Sequence, residues 1–137
     1  MSIRQRIFVF FYLSICLSIG HAASLDLVAT DPQGEHYIDP DKVHYNDIET
    51  VAYFYLITNE FIPGTQNLKG TSFTTQYVIY CHPSPRMYER WRIRSFSKLW
   101  GKGKRTDSFT LHAGSWNIEE PKELLISEYV CKEKRMM

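Results

Sequence analysis

The stretch YCHPSP, Tyr80 to Pro85, sets a thiol directly beside an imidazole. Three chemistries could use such a cysteine: a thiolate nucleophile with its base, a metal site, or a disulfide with the histidine as bystander. Neighbouring residues on a strand point to opposite faces, so His82 does not reach Cys81. His36, His44 and His112 lie elsewhere, in no catalytic-cysteine motif. Neither C-x2-C nor H-x3-H spacing occurs, which argues against zinc. The acidic stretch DPDKVHYND holds Asp39, Asp41, His44 and Asp47 but lacks the Gly and terminal Glu of a calcium loop. No catalytic residue, metal ligand or cofactor is expected, and the chain reads as a non-enzyme.

The disulfide reading follows from the N-terminus. Arg4 and Arg6 precede an uncharged apolar run from Ile7 to Ile19, and Gly20-His21-Ala22 supplies small residues for cleavage. The run is shorter than the roughly 20 residues of a bilayer span and fits a secretory leader. Residues 1–22 are expected to be a signal peptide and residues 23–137 a single domain. Ile15 before Cys16 is too bulky for lipidation of that cysteine, so no lipid anchor is expected. Cys16 leaves with the leader. Cys81 and Cys131 remain, an even pair in an exported chain, and are expected to be bonded. The 16 Lys and Arg lose Arg4 and Arg6, leaving 14 against 15 Asp and Glu. This balance argues against a nucleic-acid binder. No second hydrophobic run offers a transmembrane span in the mature chain.

The elements that position these residues read as strands first and one helix last. LDLVAT and HYID are short candidate strands around the turn DPQGE. ETVAYFYLITNEF is dense in β-branched and aromatic residues and apolar on both faces, as in a central strand. TSFTTQYVIYCH places Phe73, Thr75, Tyr77, Ile79 and Cys81 on one face. MYERWRIRSFSKLW is a third long strand, and GKGKRTD is read as turn and loop. Pro121 suits a first helical turn, and a helix of roughly 10–12 residues is expected, with Leu124, Leu125, Tyr129 and Cys131 on its apolar stripe. The fold class is α+β: an antiparallel sheet with a C-terminal helix packed on it and disulfide-linked to it.

On the third long strand, strict alternation puts Arg90, Arg92 and Arg94 on one face, with the aromatics Tyr88 and Phe96 on the same face at either end of the run. With Lys98 they form the candidate partner-binding residues, suited to an acidic protein patch or an acidic glycan. The plainer alternative is a solvated face whose arginines pair with acids across the sheet. Most aromatics are expected in the core, with Trp100 and Trp116 beside turns and exposed. An edge strand could also pair with a second copy to give a homodimer.

The stretches GEHYIDPDKV, VAYFYLI, YVIYC, MYERWRIRSFSKLWGKGK and SWNIEEPKELLISEYVC, in this order, resemble the surface-adhesin protein E family of Gram-negative bacteria. The resemblance runs from about Leu25 to Cys131. It implies a sheet of about six strands, an envelope location in the periplasm or at the outer-membrane surface, and binding of a host extracellular protein. The alternative is a periplasmic accessory or small-ligand-binding domain with no host contact.

Overall fold

The computed structural model describes residues 24–46, 50–82, 86–111 and 116–136; the expected signal peptide, Asp47 and His112 lie outside them. The long central strands form where β-branched and aromatic residues run together. They are β4 (Val51–Phe61), β5 (Leu68–Tyr80) and β6 (Met87–Phe96). Before them come β1 (Asp26–Asp31), β2 (Gly34–Ile38) and the short β3 (His44–Asn46). After them come β7 (Arg105–Thr110), the short β8 (Trp116–Asn117) and helix α1 (Pro121–Met136). Six strands follow one another as β1-β2-β4-β5-β6-β7, with β3 beside β4 and β8 beside β6. Every pairing is antiparallel. The helix packs on one face, so the α+β architecture read from the sequence is present. No helix among the described residues is long and apolar enough to cross a membrane.

Tight turns set the register. Asp31 Oδ1 accepts from the backbone N–H of Gln33 at 2.9 Å and of Gly34 at 3.3 Å, closing the β1–β2 hairpin. Gly34 then passes so close to β4 that a Cβ there would lie 2.0 Å from the Asn59 carbonyl oxygen. Strand β7 differs from the turn and loop expected for GKGKRTD. All six of its residues are exposed and none gives an apolar alternation, so pairing with β6 alone makes it a strand. Its charged residues suit an edge.

The core lies between sheet and helix. Ala52, Phe54 and Leu56 of β4, Tyr77 and Ile79 of β5, and Ile126 and Val130 of α1 are all buried there. Phe54 and Tyr77 stack with ring centroids 5.7 Å apart and planes within 5°. Cys81 and Cys131 are bonded across this core, with Cα atoms 5.7 Å apart. Tyr45 donates to the Val130 carbonyl at 2.7 Å, tying β3 to the same helical turn.

The observed helix phase corrects the expected stripe. Leu124 and Leu125 are 48% and 46% exposed, while Glu123, Ile126, Ser127, Val130 and Cys131 are buried. Cys131 lies at one edge of a buried arc that runs through Ser127, Glu123, Val130 and Ile126, while Leu124 falls just outside that edge and Leu125 on the far side. Glu123 is accepted inside because Tyr77 donates to its Oε1 at 3.1 Å and Lys122 sits 3.6 Å away. The helix is also longer than expected, 16 residues, because KEKRM contains good helix formers and no breaker.

Two stability measurements check this packing. The disulfide closes a loop of 50 residues, so Cys81→Ala/Cys131→Ala should lose about 4 kcal/mol of unfolding free energy in denaturant melts. In the same assay Ile126→Ala should cost about 3 kcal/mol and Leu124→Ala less than about 0.5 kcal/mol. Equal costs for Ile126 and Leu124 would contradict the observed helix phase.

Candidate binding face

One helix cannot cover both faces of the sheet, and the alternation that buries Phe54 turns Tyr53 and Tyr55 the other way. The face opposite the helix therefore carries Tyr37 of β2, Tyr53, Tyr55 and Ile57 of β4, and Thr74, Gln76 and Val78 of β5. Tyr53, Tyr55, Trp91 and Trp100 are all exposed. This corrects the expectation that most aromatics are core: the residue types are the same on both faces, and only the single covering helix separates them. Trp100 is exposed as expected, and the Trp116 side chain lies outside the described residues.

Toward one end of this face, Glu89 organises an aromatic cluster. Its Oε1 accepts from the Tyr80 hydroxyl at 3.1 Å and its Oε2 from the Trp91 indole at 3.1 Å. Tyr53, Gln76 and Val78 complete a shallow depression of about 310 Å³ there.

Toward the other end lies a groove of about 640 Å³, lined by Tyr37, Tyr55, Ile57, Thr74 and Trp100, with Asp39, Lys42 and Lys102 also on its walls. Its wall is a 3-10 turn, Leu99–Gly101, whose Trp100 has left-handed backbone angles of φ 67° and ψ 25°. That conformation costs a large side chain about 1–3 kcal/mol and persists only when neighbours over-determine it. Two buried side chains do so. Asn59 Oδ1 accepts from Trp100 N–H at 2.9 Å, and Ser72 Oγ accepts from Gly101 N–H at 2.9 Å. The Ser72 hydroxyl in turn donates to the Lys98 carbonyl. The Trp100 ring stands edge-on to Tyr37, centroids 4.7 Å apart and planes at 66°. Burial, then the neighbouring Glu35, raises the Tyr37 phenol, which stays protonated at neutral pH.

The arginine stripe read from strict alternation does not exist as one face. Thr75 pairs with Ile93 and Tyr77 with Arg90, so β6 advances three residues while β5 advances two. This bulge puts Trp91 and Arg92 together opposite Gln76 and returns Ile93 to the side of Arg90. Arg90 thus lies on the helix side, its guanidinium 5.9 Å from the Tyr88 ring centroid. Arg94 pairs with Thr74 and shares the open face with the groove, and Lys98 opens the turn that walls it. Arg92 is exposed beside Thr110 of β7. A single inserted residue carries no signature in a run of alternating types, so the sequence could not reveal the split.

The helix side holds a polar cluster that the sequence pattern missed. His36 and Thr58 are fully buried on adjacent strands. The His36 Nε2–H donates to Asp31 Oδ1 at 2.7 Å, and its Nδ1 accepts from the Thr58 hydroxyl at 2.7 Å. Hydroxyl, imidazole and carboxylate line up as in an acyl-transfer triad. The hydroxyl and ring are closed to solvent, so the arrangement braces β1, β2 and β4. Burial lowers the His36 pKa most, against the hydrogen bond and charge of Asp31; Lys122 lowers it further and Glu123 opposes. Burial raises Asp31, but the hydrogen bond and charge of His36, then the Gln33 N–H and Lys122, leave it below its ordinary value.

An antiparallel sheet with one helix disulfide-bonded to it defines a fold that is known among solved structures. Crystal form II of Haemophilus influenzae protein E superposes with a TM-score of 0.63 at 13% identity, covering 82% of this chain and 90% of that one. A second Haemophilus influenzae protein E structure gives 0.62 at 14%, covering 85% and 89%. At this identity the likeness shows a shared protein E-like fold. No protein-family model and no curated protein matches the sequence.

The lowered His36 pKa fixes a pH dependence. Below pH 6.5 the unfolded chain protonates this histidine while the folded chain resists, so its contribution is complete above pH 6.5 and lost as pH falls through the lowered value. Unfolding free energy should drop between pH 7.5 and pH 5 in urea titrations, and His36→Gln should flatten that slope. A His36→Gln slope equal to that of the parent would contradict the assignment.

Proposed function

We propose that this chain is an exported, non-enzymatic envelope protein that binds a macromolecular partner, a host extracellular protein in the manner of the adhesins it resembles. The observation that carries the reading is the open sheet face with its exposed aromatics, Tyr53 and Trp91, set around Glu89. Exposed Tyr and Trp are the residues that most often dominate contact energies between proteins. The protein E-like fold and the Cys81–Cys131 bond support an envelope setting, since disulfides persist in oxidising compartments. Arg92, exposed beside this cluster, adds a cation suited to an acidic rim on the partner.

The second reading is a periplasmic small-ligand or accessory domain. The groove at Trp100 favours it, because about 640 Å³ falls within the size range of small-ligand sites. Protease treatment of intact cells separates the two: a surface adhesin is degraded, whereas a periplasmic domain is spared. Binding to immobilised matrix and serum proteins should weaken about 30-fold in Tyr53→Ala/Trp91→Ala, the equivalent of about 2 kcal/mol. Protection of the protein on intact cells, or undiminished binding by that variant, would remove the adhesin reading.

A further inference from the structure

We infer that the groove beside Trp100 is a subsite for an anionic sugar, one or two pyranose rings bearing sulfate or carboxylate groups. This goes beyond the protein-binding reading. It assigns a different ligand class to the other end of the open face.

The shape comes first. Trp100 and Tyr37 meet at 66°, and Tyr55, 47% exposed, continues the apolar surface. These rings form a corner rather than a parallel-sided slot. A flat nucleobase needs two near-parallel faces to be sandwiched. A puckered pyranose presents C–H bonds in more than one direction, which suits the negative faces of rings set at an angle. The Trp100 ring is held there by a left-handed backbone that Asn59 and Ser72 fix from two different strands. A rigid wall of this kind reduces the ordering cost of binding.

The charge follows. Lys42 and Lys102 stand on the groove, and Asp39 lies 4.0 Å from Lys42. That pair leaves Lys102 as the uncompensated charge among the lining residues. The segment from Lys98 to Arg105 adds Lys98, Lys104 and Arg105 and contains no acid. Among the described residues none of Lys98, Lys102, Lys104 or Arg105 forms an ion pair. The cations favour an anion, the rings favour a carbohydrate C–H face, and the Thr74 hydroxyl and Asp39 carboxylate can accept from sugar hydroxyls.

Calorimetric titration of the disulfide-bonded protein tests this with four probes: a heparin-derived tetrasaccharide, maltotetraose, inorganic tripolyphosphate and adenosine monophosphate. The sulfated tetrasaccharide should bind at least tenfold tighter than each of the others. Trp100→Gly removes the ring while suiting the left-handed backbone, and it should weaken tetrasaccharide binding at least tenfold. Lys102→Ala should weaken it about threefold and reduce its dependence on salt. Leu124→Ala, on the outer face of the helix, should leave it unchanged. Absence of tetrasaccharide binding would overturn the inference, as would equal binding of maltotetraose. Tighter binding of tripolyphosphate or the nucleotide, or an unaffected Trp100→Gly variant, would do the same. Failure here leaves the Tyr53 and Trp91 surface untouched, because that surface is read with protein partners and different variants.

Discussion

The covalent link between Cys81 and Cys131 anchors this structure, because it holds the single helix against one side of the sheet and leaves the other side uncovered. Cys81 directly follows β5, on the same face as Tyr77 and Ile79. On the same helix, Ile126 and Val130 enter the core and Glu123 comes under the Tyr77 hydroxyl. Tyr45 and Asp26 then reach the helix from β3 and β1, through the Val130 carbonyl and the Tyr129 hydroxyl. The helix by itself is weakly amphipathic, with two leucines on its outer face, so burial of its apolar side chains alone would not choose this phase.

Covering one face leaves the other open, and that asymmetry creates the candidate site. A sheet buried on both sides would hide Tyr53 and Tyr55 as it hides Phe54. Here they stand at the surface, between the Glu89 cluster at one end and the Trp100 groove at the other. The polar residues that organise these ends are themselves firmly placed. Asn59 and Ser72 are fully buried beneath the Trp100 turn, and Glu89 is shared by Tyr80 and Trp91. Binding surfaces of this type lose little freedom when a partner arrives.

Much of the fold was legible because its signals are local. The aromatic and β-branched runs announced β4, β5 and β6. The turn residues at DPQG placed the first hairpin, and Pro121 marked the start of the helix. The elements that escaped are those made by neighbours. Strand β7 exists because β6 offers it hydrogen bonds, and β3 and β8 are two- or three-residue pairings at the margins. The bulge at Trp91 and Arg92 split the arginines between faces, and it arises from the pairing of two strands rather than from either one alone.

The sequence by itself determined the strand-rich order, the terminal helix and the pairing of two cysteines, since periodicity, turn chemistry and cysteine number act along the chain. Tertiary structure alone decided the helix phase, the exposure of Tyr53, Tyr55 and Trp91, and the closing of His36 between Asp31 and Thr58. It also decided that Arg94 and Lys98 accompany the groove while Arg90 turns toward the helix. Those outcomes depend on register and on which face is covered, and both are fixed only when distant segments meet.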